Sequence, residues 1–175
     1  MRCFIGIDLP KYVKKTLSKF QELLRKENIF YGKYVEENNL HISLKFLGEI
    51  NNVEGIKNQL KKIKFNPFIV SLNNLGAFPS ENYIRLLYIK INKGKEEIIN
   101  LHKEIENILE FKRDINFEPH VSLIRVKNVL NKKRVEELFK KEVSFGEFNV
   151  TSFYLFKSTL TSNGPIYEKI EKIEL

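Results

Sequence analysis

Apolar residues recur along this chain with two periods, and the switches between them mark out its elements. Met1 to Leu9 is a nearly continuous apolar run closed by Asp8-Leu9-Pro10, the pattern of a buried strand. Pro10 is placed to open a helix, and Val13, Leu17, Phe20 and Leu24 follow at helical spacing. His41 to Leu47 alternates like a strand, and Val53, Ile56, Leu60 and Ile63 predict a second helix. Two strands are expected near Phe68–Leu75 and Tyr83–Ile91, then a third helix carrying Ile98, Leu101, Ile105 and Ile108. A strand from His120 to about Val126 precedes a fourth helix marked by Val135, Leu138 and Phe139. Strands near Phe148–Lys157 and Ile166–Ile173 close the chain, joined by the turn Ser162-Asn163-Gly164-Pro165.

This order contains a repeat. His41-Ile42-Ser43-Leu44 recurs as His120-Val121-Ser122-Leu123. Eleven residues after each histidine stands an asparagine, Asn52 or Asn131, a good N-cap for the helix that follows. Phe68-Ile69-Val70-Ser71 and Phe148-Asn149-Val150-Thr151 then open strands with similar spacing. The chain reads as two copies of strand, helix, His strand, helix, strand. No Pro/Ser-rich linker separates them. The expectation is an α/β fold of the α+β type. It is one bilobed domain over residues 1–175, with two interleaved pseudo-symmetric lobes of antiparallel sheet plus helices. A central cleft would carry the two His-x-Ser-x motifs.

Composition narrows the partners. The 175 residues are 42% hydrophobic, enough for a core and against disorder. Thirty Lys and Arg face 22 Asp and Glu, so the net charge is +8 and an anionic partner is favoured. A solvated basic surface is the competing reading. Cys3 is the only cysteine, which excludes a disulfide framework and suits a reducing compartment. It lies in an apolar strand and reads as a small buried residue. No signal peptide or membrane span is visible, so a cytoplasmic protein without membrane contact is expected, and a monomer.

Residues i and i+2 of a strand share a face. His41 and Ser43 therefore face one way and Ile42 and Leu44 the core, with His120, Ser122, Val121 and Leu123 doing the same. Two imidazoles titrating near pH ~6.5 can split into a proton acceptor and a proton donor. Two hydroxyls can donate to phosphoryl oxygens. That set suits phosphoester chemistry. Two histidines without a nearby carboxylate make a poor metal site, and neither serine lies on a nucleophile elbow, so no metal and no cofactor are expected. His102 has no repeat partner and reads as an exposed helical residue. Regular alternation turns Lys45 toward the cleft and Arg125 away from it, unless a bulge re-aims the arginine.

These motifs resemble the RNA 2′,3′-cyclic phosphodiesterase family, also called 2′-5′ RNA ligases, within the two-histidine phosphoesterase superfamily. The likeness runs through Arg2–Pro10, His41–Glu49, Gly76–Ser80 with the later Arg85, Phe117–Val126, and Ser158–Leu160 to Gly164–Glu168. The resemblance implies a bilobed α/β fold and hydrolysis of RNA 2′,3′-cyclic phosphate ends, tRNA fragments among them, to 2′-phosphates. The reverse reaction would be 2′-5′ ligation. It implies His41 as proton donor, His120 as proton acceptor, and Ser43 and Ser122 in place of the usual threonines. Arg125 matches a phosphate-contacting arginine. Lys45 is a second candidate for neutralising phosphate. Phe46, Phe78 and Tyr167 are candidates to stack on a base, core packing being the commoner role for each phenylalanine. A phosphodiesterase of a small cyclic nucleotide or tRNA-splicing product, and a non-catalytic RNA-binding module, are the alternatives.

Overall fold

The computed structural model describes residues 1–175. Its elements follow in the order β1 (Arg2–Asp8), α1 (Lys11–Lys26), β2 (Phe30–Tyr34), β3 (His41–Glu49), α2 (Val53–Leu60), β4 (Phe68–Ser80), β5 (Tyr83–Ile91), α3 (Lys95–Leu109), β6 (His120–Val129), α4 (Lys132–Lys140), β7 (Ser144–Val150), β8 (Ser152–Thr161) and β9 (Gly164–Glu174). The four expected helices are present. Asn52 and Asn131 cap α2 and α4, each side chain accepting from the backbone N–H three residues on, at 2.8 and 3.0 Å. No helix is long and apolar enough to cross a membrane.

The nine strands form one sheet, eight of them in the order β7-β4-β5-β6-β3-β1-β8-β9 with β2 beside β6 off that path, and every described pairing is antiparallel. Around its centre the order is symmetric. From β6 outward run β5, β4 and β7; from β3 outward run β1, β8 and β9. The strand that ends each sequence copy thus crosses over: β4 lies in the half built around β6, and β8 in the half built around β3. The two His strands pair at a single position, Ile42 with Val121, and diverge beyond it. The gap beside β6 is taken by β2, which pairs with it from Phe30↔Val129 to Tyr34↔Ile124.

One face of the sheet carries the core. Ile5, Ile7, Ile42, Val121, Leu123, Phe153 and Leu155 are sealed there, with Val13, Leu17 and Leu24 of α1 and Ile98, Leu101 and Ile105 of α3 packed against them. Each such side chain contributes roughly 1.5–3 kcal/mol of transfer free energy. Gln21 is the polar exception on α1; its amide donates to the carbonyls of Val35 and Leu123, both at 2.9 Å.

Two strand expectations change. The segment read as Phe148–Lys157 is two strands, β7 and β8, separated at Thr151. β2 was not expected, because five residues interrupted by Gly32 show no clear alternation. Gly32 is nevertheless what allows it: a Cβ there would lie 2.2 Å from the Arg125 carbonyl oxygen.

Candidate active site

Each His strand carries a β-bulge at the same place. On β3, Gly6 faces Ser43 and Ile5 faces Lys45, so Leu44 is the extra residue. On β6, Tyr88 faces Ser122 and Leu87 faces Ile124, so Leu123 is the extra residue. A bulge puts two consecutive side chains on one face and shifts the alternation by one. His41, Ser43 and Phe46 therefore share the open face of β3, and His120, Ser122 and Arg125 that of β6, while Lys45 and Ile124 turn inward.

This corrects the expectation for Lys45. It is 3% exposed and does not face the cleft. Its ammonium donates to Glu106 at 2.6 Å and to the Lys112 carbonyl at 2.6 Å, and pairs with Asp114 at 2.9 Å. Burial pulls the Lys45 pKa down, but the bonds to the two carboxylates overcome it and hold it above the usual value. His102 is corrected too. It is 3% exposed, stacks on Phe117 at 3.8 Å between centroids, and its Nδ1–H donates to the Leu44 carbonyl at 2.7 Å. His102, Glu106 and Asp114 lie close enough to hold a metal ion, but the Lys45 ammonium already sits on both carboxylates. The bulge on β6 re-aims Arg125 onto the face of His120. Burial holds the Tyr167 phenol pKa above its usual value, and the Arg125 charge opposes that rise only in part.

Both imidazoles are held alike. His41 Nδ1–H donates to the Asn39 carbonyl at 2.6 Å and His120 Nδ1–H to the Glu118 carbonyl at 2.8 Å. A carbonyl can only accept, so in the neutral ring Nε2 is the acceptor. Ser43 O–H donates to His41 Nε2 at 2.8 Å. Burial pushes both histidines below the ordinary imidazole value. The carbonyl bonds oppose this, as do the charges of Asp8 near His41 and Glu118 near His120. The two rings also repel when charged, which lowers His41 further.

Aromatic rings wall each histidine. His41 lies 4.9 Å from Phe4 and 5.4 Å from Tyr167, with Phe156 stacked on Phe4 at 4.8 Å. His120 lies 5.0 Å from Tyr88 and 5.3 Å from Phe78, which stack on each other at 4.4 Å. Tyr88 was missed from the sequence; its cross-strand pairing with Ser122 and its seat over Gly76 are register facts. Phe46, by contrast, is 70% exposed. Near His41, Asn39 also donates to the Pro165 carbonyl at 2.8 Å, tying the β8–β9 turn to the residue that holds the ring.

The sequence pattern of the family described as LigT like Phosphoesterase matches this chain twice, over residues 7–88 and 89–167. The chain belongs to the LigT-like phosphoesterase family. A relative from Methanocaldococcus jannaschii, named RNA 2′,3′-cyclic phosphodiesterase, is 39% identical, with 98% of this chain and 99% of the relative covered. One of the same name from Aquifex aeolicus is 36% identical over 100% of this chain and 97% of its own length. Among solved structures, this LigT-like chain matches TT0787 of Thermus thermophilus with TM-score 0.78, 28% identity and coverage of 100% and 98%. Apo LigT of E. coli gives TM-score 0.81 at 20% identity, covering 99% of this chain and 96% of that one, a likeness of fold.

Proposed function

We propose that this LigT-like phosphoesterase hydrolyses RNA 2′,3′-cyclic phosphate ends to 2′-phosphates by acid–base catalysis between His41 and His120. The observation that carries this is the matched pair of bulged strands. Each presents a histidine with its Nδ1 bound to a backbone carbonyl and a serine two residues on, which makes Nε2 the nitrogen for chemistry; in the His41 half Ser43 bonds that nitrogen and must turn to the substrate. The relatives' shared name supports the substrate.

His120 Nε2 takes a proton from water as its oxygen attacks phosphorus. The bond from phosphorus to the 3′-oxygen breaks, and protonated His41 Nε2 gives its proton to that oxygen. A 2′-phosphate and a 3′-hydroxyl remain. Ser43 and Ser122 donate to the non-bridging oxygens, Arg125 neutralises their charge, and Tyr167 lines the His41 side. The donor and acceptor roles follow the family pattern. With a 5′-hydroxyl in place of water, the same attack on phosphorus and the same cleavage of the bond to the 3′-oxygen form a 2′-5′ linkage. A cytoplasmic monomer acting on RNA ends, tRNA fragments included, completes the proposal; the lone Cys3, 2% exposed, suits that compartment.

The test is incubation of the purified protein, in EDTA, with an oligonucleotide ending in a 2′,3′-cyclic phosphate. A 2′-phosphate product is expected. A 3′-phosphate would overturn the roles of the two histidines, and loss of activity in EDTA the metal-free mechanism.

A further inference from the structure

The cations of this protein are unevenly placed. The adjacent strands β2, β6 and β5 carry Lys33, Arg85, Lys90, Arg125 and Lys127 and no Asp or Glu. The opposite half is balanced: Asp8, Glu49, Glu168, Glu171 and Glu174 on β1, β3, β8 and β9 offset an equal number of Lys and Arg. None of the five cations on β2, β5 and β6 has a carboxylate within salt-bridge distance. Cations that no neighbour neutralises repel one another unless an anion covers them.

They are also connected. Arg125, on the catalytic face, pairs across strands with Lys33 of β2. Two residues along β6, Lys127 reaches Tyr31, its Nζ 5.9 Å from the ring centroid. The Arg85 guanidinium lies 3.5 Å from the Lys127 carbonyl and 5.7 Å from the Tyr83 ring. Tyr31 and Tyr83 are 57% and 61% exposed. Gly32 presses β2 onto β6 beside Arg125 and so fixes where Tyr31 and Lys33 stand. Cations alternating with exposed aromatic rings are what a single-stranded nucleic acid needs, phosphates on the cations and bases on the rings.

We infer that the strands β2, β6 and β5 form a track for single-stranded RNA, carrying the nucleotides that precede the cyclic phosphate from Arg125 out past Lys127 and Tyr31 to Arg85 and Tyr83. The inference rests on the proposed activity for its direction. It assigns the body of the RNA to the His120 half alone.

The experiment compares two substrates, 2′,3′-cyclic AMP and a ten-nucleotide RNA ending in a 2′,3′-cyclic phosphate. It uses wild type, Tyr31→Ala and Arg85→Ala/Lys127→Ala. In each variant the ratio of kcat/KM for the long substrate to that for the short one falls about tenfold, the scale of one stacked base. In the double variant the slope of log affinity against log salt shrinks by about 0.7 per cation removed. An unchanged ratio overturns the track. The control Lys61→Ala/Lys172→Ala, on the balanced half, keeps the wild-type ratio; a fall there also overturns it. Binding of the ten-mer to His120→Ala, with and without the track substitutions, is read by fluorescence anisotropy. It separates the two claims: weaker binding in the track variants supports the track even if wild type hydrolyses neither substrate, which would sink the activity instead.

Discussion

In the His41 half the imidazole lies against Phe4 and Tyr167, whereas in the His120 half it lies against Tyr88 and Phe78. The backbone beneath them is the same: a bulge at Leu44 or Leu123, a carbonyl on Nδ1, a serine two residues on. The side chains around it are exchanged. On β1, Gly6 pairs with Tyr154 of β8; at the matching place, Tyr88 of β5 pairs with Gly76 of β4. The Tyr88 ring fills the room over Gly76, whereas the room over Gly6 is bordered by the His41 and Phe4 rings and the Ile42 carbonyl. Below the sheet, Lys45 and Ile124 occupy equivalent inward positions, one in a buried ionic cluster and the other in plain apolar packing. Beyond α1 the chain forms β2; beyond α3 residues 111–116 stay irregular, and the Lys112 carbonyl there takes the Lys45 ammonium. The two histidines thus share a matched backbone on unmatched supports.

The comparison breaks most sharply at the histidines. His41→Ala and His120→Ala should each lower kcat by about 10²–10⁴-fold, the usual worth of a general acid or base. Steady-state hydrolysis measures this, and a large loss in only one half would refute the paired roles. Next come the inward positions. Lys45→Met leaves Glu106 and Asp114 facing each other without their cation, at a cost of roughly 3–5 kcal/mol. Ile124→Met, a swap of similar volume, should cost less than about 1.5 kcal/mol. Urea titrations decide between them; equal costs would mean the ionic cluster stabilises nothing.

At the exchanged glycines, Gly76→Ala puts a Cβ 2.3 Å from the Tyr88 ring that walls His120. Displacing that wall should lower kcat/KM by about 10- to 100-fold with folding retained. Gly6→Ala meets the Ile42 carbonyl at 2.9 Å and His41 Cδ2 at 3.4 Å, so it tests the other half in the same assay. The pH profile sharpens the pair further. The proposed roles require His120 neutral and His41 charged, and burial lowers both pKa values. Activity should therefore rise as His120 deprotonates and fall as His41 does, with both limbs of kcat/KM below the usual histidine value of about 6.5. A limb above it in the free enzyme would contradict the burial. The smallest effect is expected from Ser43→Thr and Ser122→Thr, which keep the hydroxyl and stiffen its rotamer. Each should retain activity in the same assay, and loss in either would show that the methyl collides with its own half.

The paired motifs, the four helices and both asparagine caps were legible because they depend on neighbours in sequence. Lys45 was not, because a bulge is set by the register of the partner strand and simple alternation sent it to the wrong face; alternation alone misplaced Arg125 as well, and only the family resemblance, with a bulge to re-aim it, pointed to the face it takes. Lys45 was misjudged for a second reason. A lysine is buried only when paired, and Glu106 and Asp114 come more than sixty residues later in the chain. His102 was read as exposed although it neighbours Leu101 on α3; the Leu44 carbonyl and the Phe117 ring that hold it come from other elements.

The crossing of β4 and β8 bears on how the chain can be divided. β4 pairs only with β5 and β7, both from the later copy, while β8 pairs with β1 and with β9. A break between Ser80 and Tyr83 would leave an N-terminal fragment with β4 unpaired, and a C-terminal fragment whose β8 has lost its inner neighbour. Two exposed strand edges of that kind seek each other or aggregate. The sequence copies are therefore not folding units. The chain should melt as one cooperative body, and its severed pieces should regain activity only when mixed.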